Sequence, residues 1–151
     1  MIAFSGTVWR ILNAAQADAP LAPARAPTGR FHHSGQTTIY TSLTAEGAGV
    51  AIARYVAKTD VPRVIVPLRL SAPCLVDLRG HAEASIVWQD LPPPSPTWQF
   101  SDDARARGAQ GLLYSSRSRP ELTHCVIFAP NTLSLAGDPA PWPARVDPPR
   151  A

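Results

Sequence analysis

Lysine is almost absent from this chain of 151 residues: Lys58 stands alone beside thirteen arginines, against eleven acids. The net charge is only +3, and the arginines are spread out, with Arg105/Arg107 and Arg117/Arg119 as the only close pairs. A nucleic-acid face needs a denser basic run interleaved with aromatics, so direct nucleic-acid binding is not expected. Arg-for-Lys usage with many Ala and Pro also follows from GC-rich coding. Cysteine is scarce too. Cys74 and Cys125 each lie in a β-like run and read as buried free thiols, since a disulfide needs an oxidising compartment. No apolar run approaches the ~20 residues that span a bilayer. Met1–Gly6 lacks a basic segment followed by an apolar one, so no signal peptide is indicated, and a cytoplasmic, soluble protein without membrane contact is expected.

Proline, at seventeen, is abundant. It gathers in 20–27, 92–96 and from Pro139 onward, where it marks boundaries. Length and apolar content fit one domain with one core, expected over 1–135, and a Pro-rich C-terminal tail over 136–151 that runs over the surface and is disordered after Arg145.

The elements follow from local signals. Ala3–Leu12 reads as a strand with Arg10 near its end, 13–28 as a loop, and 38–42 as a second strand. Thr44 is a good N-cap for a helix from about Ala45, with Glu46 favourably placed in its first turn. Ala48, Ala51, Ile52 and Tyr55 fall at helical spacing and predict one small apolar face against the sheet. Two strands, 63–70 and 74–78, are expected around a Ser-Ala-Pro turn, with Pro67 marking an edge or bulge. Thr97 is the expected N-cap of a helix to Gly108 that carries Arg105 and Arg107 late, Arg105 as an ordinary surface cation. Strands at 111–115 and 124–128 close the series. Strands and few helices in non-alternating order indicate an α+β domain.

Chemistry concentrates between Thr28 and Val56. Arg30 sits on a Gly-Arg-aromatic turn and Tyr40 at the end of the next strand, which places a cation and an aromatic face on one wall. Arginine suits phosphate through its planar fork of donors. Tyr40 reads equally as a core tyrosine, and Arg10 as a solvent-facing strand residue. His32 and His33 are adjacent, but His81 and His124 are distant in sequence and no Cys or acid stands at ligand spacing, so no metal is expected.

Gly29-Arg30-Phe31, Gly35, Ile39-Tyr40-Thr41-Ser42-Leu43-Thr44 and Glu46-Gly47-Ala48 resemble the RES domain, the toxin half of bacterial RES–Xre type II toxin–antitoxin modules. Val8-Trp9-Arg10 upstream extends the likeness. So do Gly108, Gly111-Leu112-Leu113-Tyr114, Ser116-Arg117 and Cys125-Val126-Ile127-Phe128 downstream, over roughly residues 4 to 129. The resemblance implies an ADP-ribosyltransferase-like split mixed or antiparallel β-sheet with few short helices and NAD, as substrate, in the cleft between its halves. It implies Arg10 and Arg30 on the pyrophosphate, Tyr40 on the nicotinamide ring and Ser116 as a hydrogen-bonding group, with Ser115 the neighbour easily mistaken for it. His32 stands where the family has asparagine and is expected to take over its hydrogen bonds or to be solvated. The family's catalytic glutamate falls eleven residues past the tyrosine; here that place holds Ala51. Glu46, five residues earlier, lies ~140° round the helix and ~7.5 Å along it, out of reach. An introduced inactivating change is the expected origin, ahead of natural loss or a carboxylate supplied by Glu83 or Asp77. The implied function is NAD cleavage, by hydrolysis, phosphorolysis or ADP-ribosylation of a protein target, under control of an Xre-like antitoxin; a homodimer is left open. The alternative is a catalytically dead NAD- or antitoxin-binding module.

Overall fold

The computed structural model describes residues 1–143. The elements run β1 (Ile2–Asn13), β2 (Ile39–Ser42), α1 (Ala45–Val56), β3 (Arg63–Leu78), α2 (Trp98–Ala106), β4 (Gly111–Ser115), β5 (Thr123–Ile127), β6 (Leu133–Leu135) and β7 (Ala140–Trp142). Short 3-10 turns at Ala82–Ser85 and Trp88–Asp90 occupy the segment between β3 and α2. This is the α+β architecture expected, a mixed sheet with two helices.

The sheet closes on itself through β1–β2–β5–β4–β3 and back to β1, with β6 and β7 on the far edge of β3. Among the described strands only β3–β4 is parallel. The ring is uneven: β1 and β3 pair continuously from Asn13↔Arg63 to Phe4↔Ala72, whereas β1 and β2 meet at the single pair Trp9↔Ser42. β1, β3, β6 and β7 therefore make one half, and β2, β5, β4 with the end of β3 make the other. A cleft lies along the weak β1–β2 seam.

No turn interrupts β3. Ser71 and Ala72, expected in a turn, continue the ladder opposite Ser5 and Phe4; beyond Pro73 the register shifts, Leu75 makes the last β1 pair with Ile2, and Leu75–Leu78 take β4 as partner. Pro67 sits mid-strand, in register with Trp9. Its carbonyl accepts from Ala136 N (3.2 Å), so its N–H position also faces away from β1, between the stretches paired with β6 and β7. The missing donor costs the β1 ladder nothing. Within the stretch expected to be tail, 140–142 instead pair with Arg63–Ile65. The expectation of disorder after Arg145 lies outside the described residues.

Both faces of β4 and β5 are buried, which is why Gly111-Leu112-Leu113-Tyr114 reads as an unbroken apolar run. Leu113, Cys125 and Ile127 pack with Val8, Val66 and Leu68 on one side; Leu112, Tyr114 and Val126 pack with Phe31 and Ala104 on the other. Thr44 caps α1 as expected, its Oγ accepting from Gly47 N at 2.9 Å. Thr97 precedes α2 but makes no cap bond; its hydroxyl donates to the Arg30 carbonyl and pairs with Ser95 Oγ. The first turn of α2 thereby fixes the Gly29–Phe31 turn beside the cleft.

Candidate active site

The cleft has a volume of about 410 Å³, with walls from the end of β1, the 24–32 turn with β2, the outer face of α1 and the β4–β5 loop. Arg10, Arg30, His32, Tyr40, Ala51 and Ser116, the six residues singled out in the sequence, all line it.

Arg10 does not face solvent. Alternation along β1 puts it on the buried side with Val8 and Leu12, and it is only 7 % exposed. Burial pushes its pKa down to about 10, so it remains cationic at neutral pH. One guanidinium nitrogen donates to the Pro20 carbonyl at 2.8 Å, which ties the 14–28 loop to β1. Arg30 donates to the carbonyls of Ile86 and, at 3.4 Å, Ala84, and lies 5.7 Å from the centre of the Tyr114 ring. Burial first, and then the neighbouring charge of Arg54, lower its pKa. Both arginines are thus held by backbone carbonyls, and among the described residues no acid pairs with either.

Tyr40 presents its ring to the cleft, but its hydroxyl is committed elsewhere. It accepts from Phe31 N (2.9 Å) and pairs with His32 Nδ1 (2.8 Å). His32 Nε2 lies 2.7 Å from the Ala26 carbonyl, which can only accept, so Nε2 carries a proton and donates to it. Burial pushes the Tyr40 pKa up and keeps the phenol protonated. His32 is therefore a buried structural residue, not a solvated one. Gly29 is required beside this pair: a Cβ there would stand 2.5 Å from His32 Cε1 and 2.7 Å from the Tyr40 hydroxyl. Gly29→Ala is expected to cost about 1–3 kcal/mol by overpacking. A thermal melt checks it, and an unchanged melting temperature would mean that the turn relaxes freely.

Ser116 is buried at the end of β4, and its Oγ accepts from Arg119 N at 3.2 Å. Its hydroxyl proton remains available to a ligand. Ser115 is held otherwise, accepting from Gly80 N through its side chain and from Ser85 through its carbonyl.

The face expected on α1 needs correction. Ala48 is buried, but Ala51 is exposed and Tyr55 is 47 % exposed. The helix contacts the core through Gly47 and Ala48, and its 51/55 side forms the rim of the cleft instead of packing on the sheet. Among the described residues no Asp or Glu lines the cleft. Asp77 is paired with Arg79 at 2.8 Å, and that hydrogen bond lowers its pKa; Glu83 is exposed and Glu46 is bound to Arg119 at 3.0 Å.

Arg105 is no ordinary surface cation. It donates to the carbonyls of Phe31 (3.0 Å) and Thr37 (3.2 Å) and to Thr38 Oγ (2.8 Å), and its guanidinium sits 4.0 Å over the Phe128 ring. It clamps the 31–38 loop to α2. His33 joins the same clamp through Asp102 (2.9 Å) and a stacked contact with Trp98.

Sequence reasoning missed Trp9, Arg54, Tyr114, Arg117 and His124, which also line the cleft. For His124 a signal existed, in its place on the strand antiparallel to the Tyr40 strand. It stands directly opposite Ser42, with Nδ1 2.7 Å from the Ser42 hydroxyl. Burial, and secondarily Arg30, push its pKa from its ordinary 6.5 to about 4. The unfolded chain therefore binds this proton first. The stability that neutral His124 contributes is fully present above pH 6.5 and is lost as pH falls towards 4, by up to about 3 kcal/mol. Melting temperatures across this range should fall more steeply for the parent than for His124→Gln; equal slopes would remove His124 as the cause.

Comparison with known proteins decides the family. The RES domain family model matches residues 7–147, most of the chain. The chain belongs to the RES domain family. Among solved structures, this RES domain is similar to a chain of the M. tuberculosis MbcT–MbcA toxin–antitoxin complex, with a TM-score of 0.66 and 18 % identity over 93 % of this chain and 82 % of that one. No curated protein matches it in sequence. Among the described residues of this RES domain, no helix is long and apolar enough to cross a membrane.

Proposed function

We propose that this RES domain is the toxin component of a toxin–antitoxin pair, that its cleft takes NAD as substrate, and that the chain as it stands binds NAD without turning it over efficiently. The observation that carries the reading is the cleft's charge: four arginines, Arg10, Arg30, Arg54 and Arg117, line it, and no described carboxylate does. Such a wall attracts a polyanion and suits a pyrophosphate through paired guanidinium donors. Arg10 and Arg30 are the groups assigned to the pyrophosphate. The Tyr40 ring supplies a flat wall for the nicotinamide, and the Ser116 hydroxyl a donor. Tyr40 acts through its face alone, because its hydroxyl already serves Phe31 and His32.

Cleavage of the nicotinamide–ribose bond builds positive charge on the ribose ring, as in glycoside hydrolysis, and a fixed carboxylate stabilises it. The cations that favour binding work against that charge, so a cleft with Ala51 at its rim supports binding better than cleavage. The same first step serves hydrolysis, phosphorolysis and transfer to a protein target. An Xre-like antitoxin is the partner this reading requires, and the cytoplasm the compartment. A second reading, a domain that retains the pocket but has lost the chemistry for good, is favoured by the same absence of acids.

Titration of the purified chain with NAD in a calorimeter, followed by product analysis with and without phosphate and lysate, tests the proposal. Binding with little or no nicotinamide release is expected. Absence of NAD binding at millimolar concentration would overturn it.

A further inference from the structure

Arg54 and Arg117 line the same wall but are not the groups assigned to the pyrophosphate. Arg54 stands on α1 three residues past Ala51, half-buried, and its one side-chain bond is to the neutral Gln89 amide (2.7 Å). It lies close enough to Arg30 for the two charges to oppose each other. Arg117 is exposed at the start of the β4–β5 loop. Two residues on, Arg119 collects both nearby carboxylates, Glu46 of α1 and Glu121. Among the described residues, neither Arg54 nor Arg117 takes part in an ion pair. Arg119 thus holds Glu46 and Glu121, and among the described residues Arg54 and Arg117 stand on the cleft lining without an acidic partner.

NAD leaves part of such a lining unused, because its nicotinamide cation offsets part of the pyrophosphate charge. In the doubly wound nucleotide-binding fold a carboxylate accepts from the ribose hydroxyl of NAD, and arginine replaces it where a phosphate is carried there. The cleft has no carboxylate among the described residues and offers arginine instead, the residue type that accommodates a ribose phosphate. A phosphate monoester adds about −1.5 to −2 charge at neutral pH and three acceptor oxygens.

We propose that the cleft selects a dinucleotide carrying a third phosphate on its ribose, with Arg54 and Arg117 as the cations that favour that group. The proposal rests on the NAD-cleft reading and narrows its ligand class.

The test compares affinities of the full chain for NAD and for NADP by calorimetry in the parent, Arg117→Ala, the Arg54→Ala/Arg117→Ala pair, and Arg69→Ala. Arg69 is exposed and outside the cleft, so its loss removes one charge without touching the lining. NADP should bind the parent about tenfold or more tighter than NAD, the worth of one or two charge-assisted hydrogen bonds. The ratio should shrink in Arg117→Ala, approach one in the double variant, and stay at the parent value in Arg69→Ala. It should also fall with added salt. Arg117 is exposed, so its variant folds irrespective of any disturbance at Arg54. Binding of NAD as tight as that of NADP would overturn this inference and leave the NAD reading standing. A ratio that survives the double variant would overturn the assignment to these arginines. Binding of neither nucleotide would overturn the reading on which both depend.

Discussion

Ala51→Glu raises the rate of nicotinamide release from NAD by about 10²–10³, the usual worth of one fixed electrostatic group aimed at developing charge. The site is prepared for it. Position 51 lies on the cleft side of α1 and is exposed, so a carboxylate there stays largely solvated and carries no burial penalty. Arg54, one helical turn on, and Arg30 beyond it keep the new acid ionised. The melting temperature should therefore move by no more than a few degrees, within the range of surface substitutions. Expression without an antitoxin should become toxic. A well-folded Ala51→Glu chain that binds NAD and releases no nicotinamide would show that a carboxylate at position 51 is not enough for cleavage, and would favour the pure binding module.

Arg30→Ala is the second large effect, and it acts on both stability and ligand. Removing the guanidinium leaves the Ala84 and Ile86 carbonyls without their donor and strips a cation from the face of Tyr114. A loss of about 1–3 kcal/mol in stability and about tenfold or more in NAD affinity is expected. Arg30→Lys separates the two roles, because it keeps the charge but not the planar fork, and should recover part of each. Arg105→Ala is a poor reference, since it releases the loop that carries Phe31. Arg69→Ala serves instead. Calorimetry and a melt on the three variants decide it, and equal NAD affinity in Arg30→Ala and Arg69→Ala would remove Arg30 from the site.

Much of this site was legible because its parts are locally encoded. The Gly-Arg-aromatic turn, the Tyr40 strand, the Thr44 cap and the serine after β4 are each marked by neighbours a few residues away. The misreadings share a cause, which is that long-range contacts overrode a local signal. Ser-Ala-Pro at 71–73 has turn chemistry, but Ser71 and Ala72 have a β1 backbone to pair with, and the strand runs on. The spacing of Ala48, Ala51, Ile52 and Tyr55 is helical, yet nothing in it tells which part of the stripe meets the sheet and which meets a cleft. Thr97 and Arg105 have the residue types of a cap and a surface charge. Their partners, Arg30 O and the 31–38 carbonyls, lie more than sixty residues away. Arg54 and Arg117 carried no signal because an arginine's neighbours decide whether its charge is neutralised, and Arg119's capture of two acids exists only in three dimensions.

The sixteen-residue strand β3 carries one further consequence. Since a single unbroken segment is the central ladder of one half and the edge partner of the other, neither half owns a complete set of strands. Cutting the chain between residues 72 and 75 should yield no fragment that folds alone, and heat should melt the domain in one step. A molecule lodged between the halves then stabilises all of it at once. For this protein, the upward shift of a single melting curve is a direct gauge of occupancy.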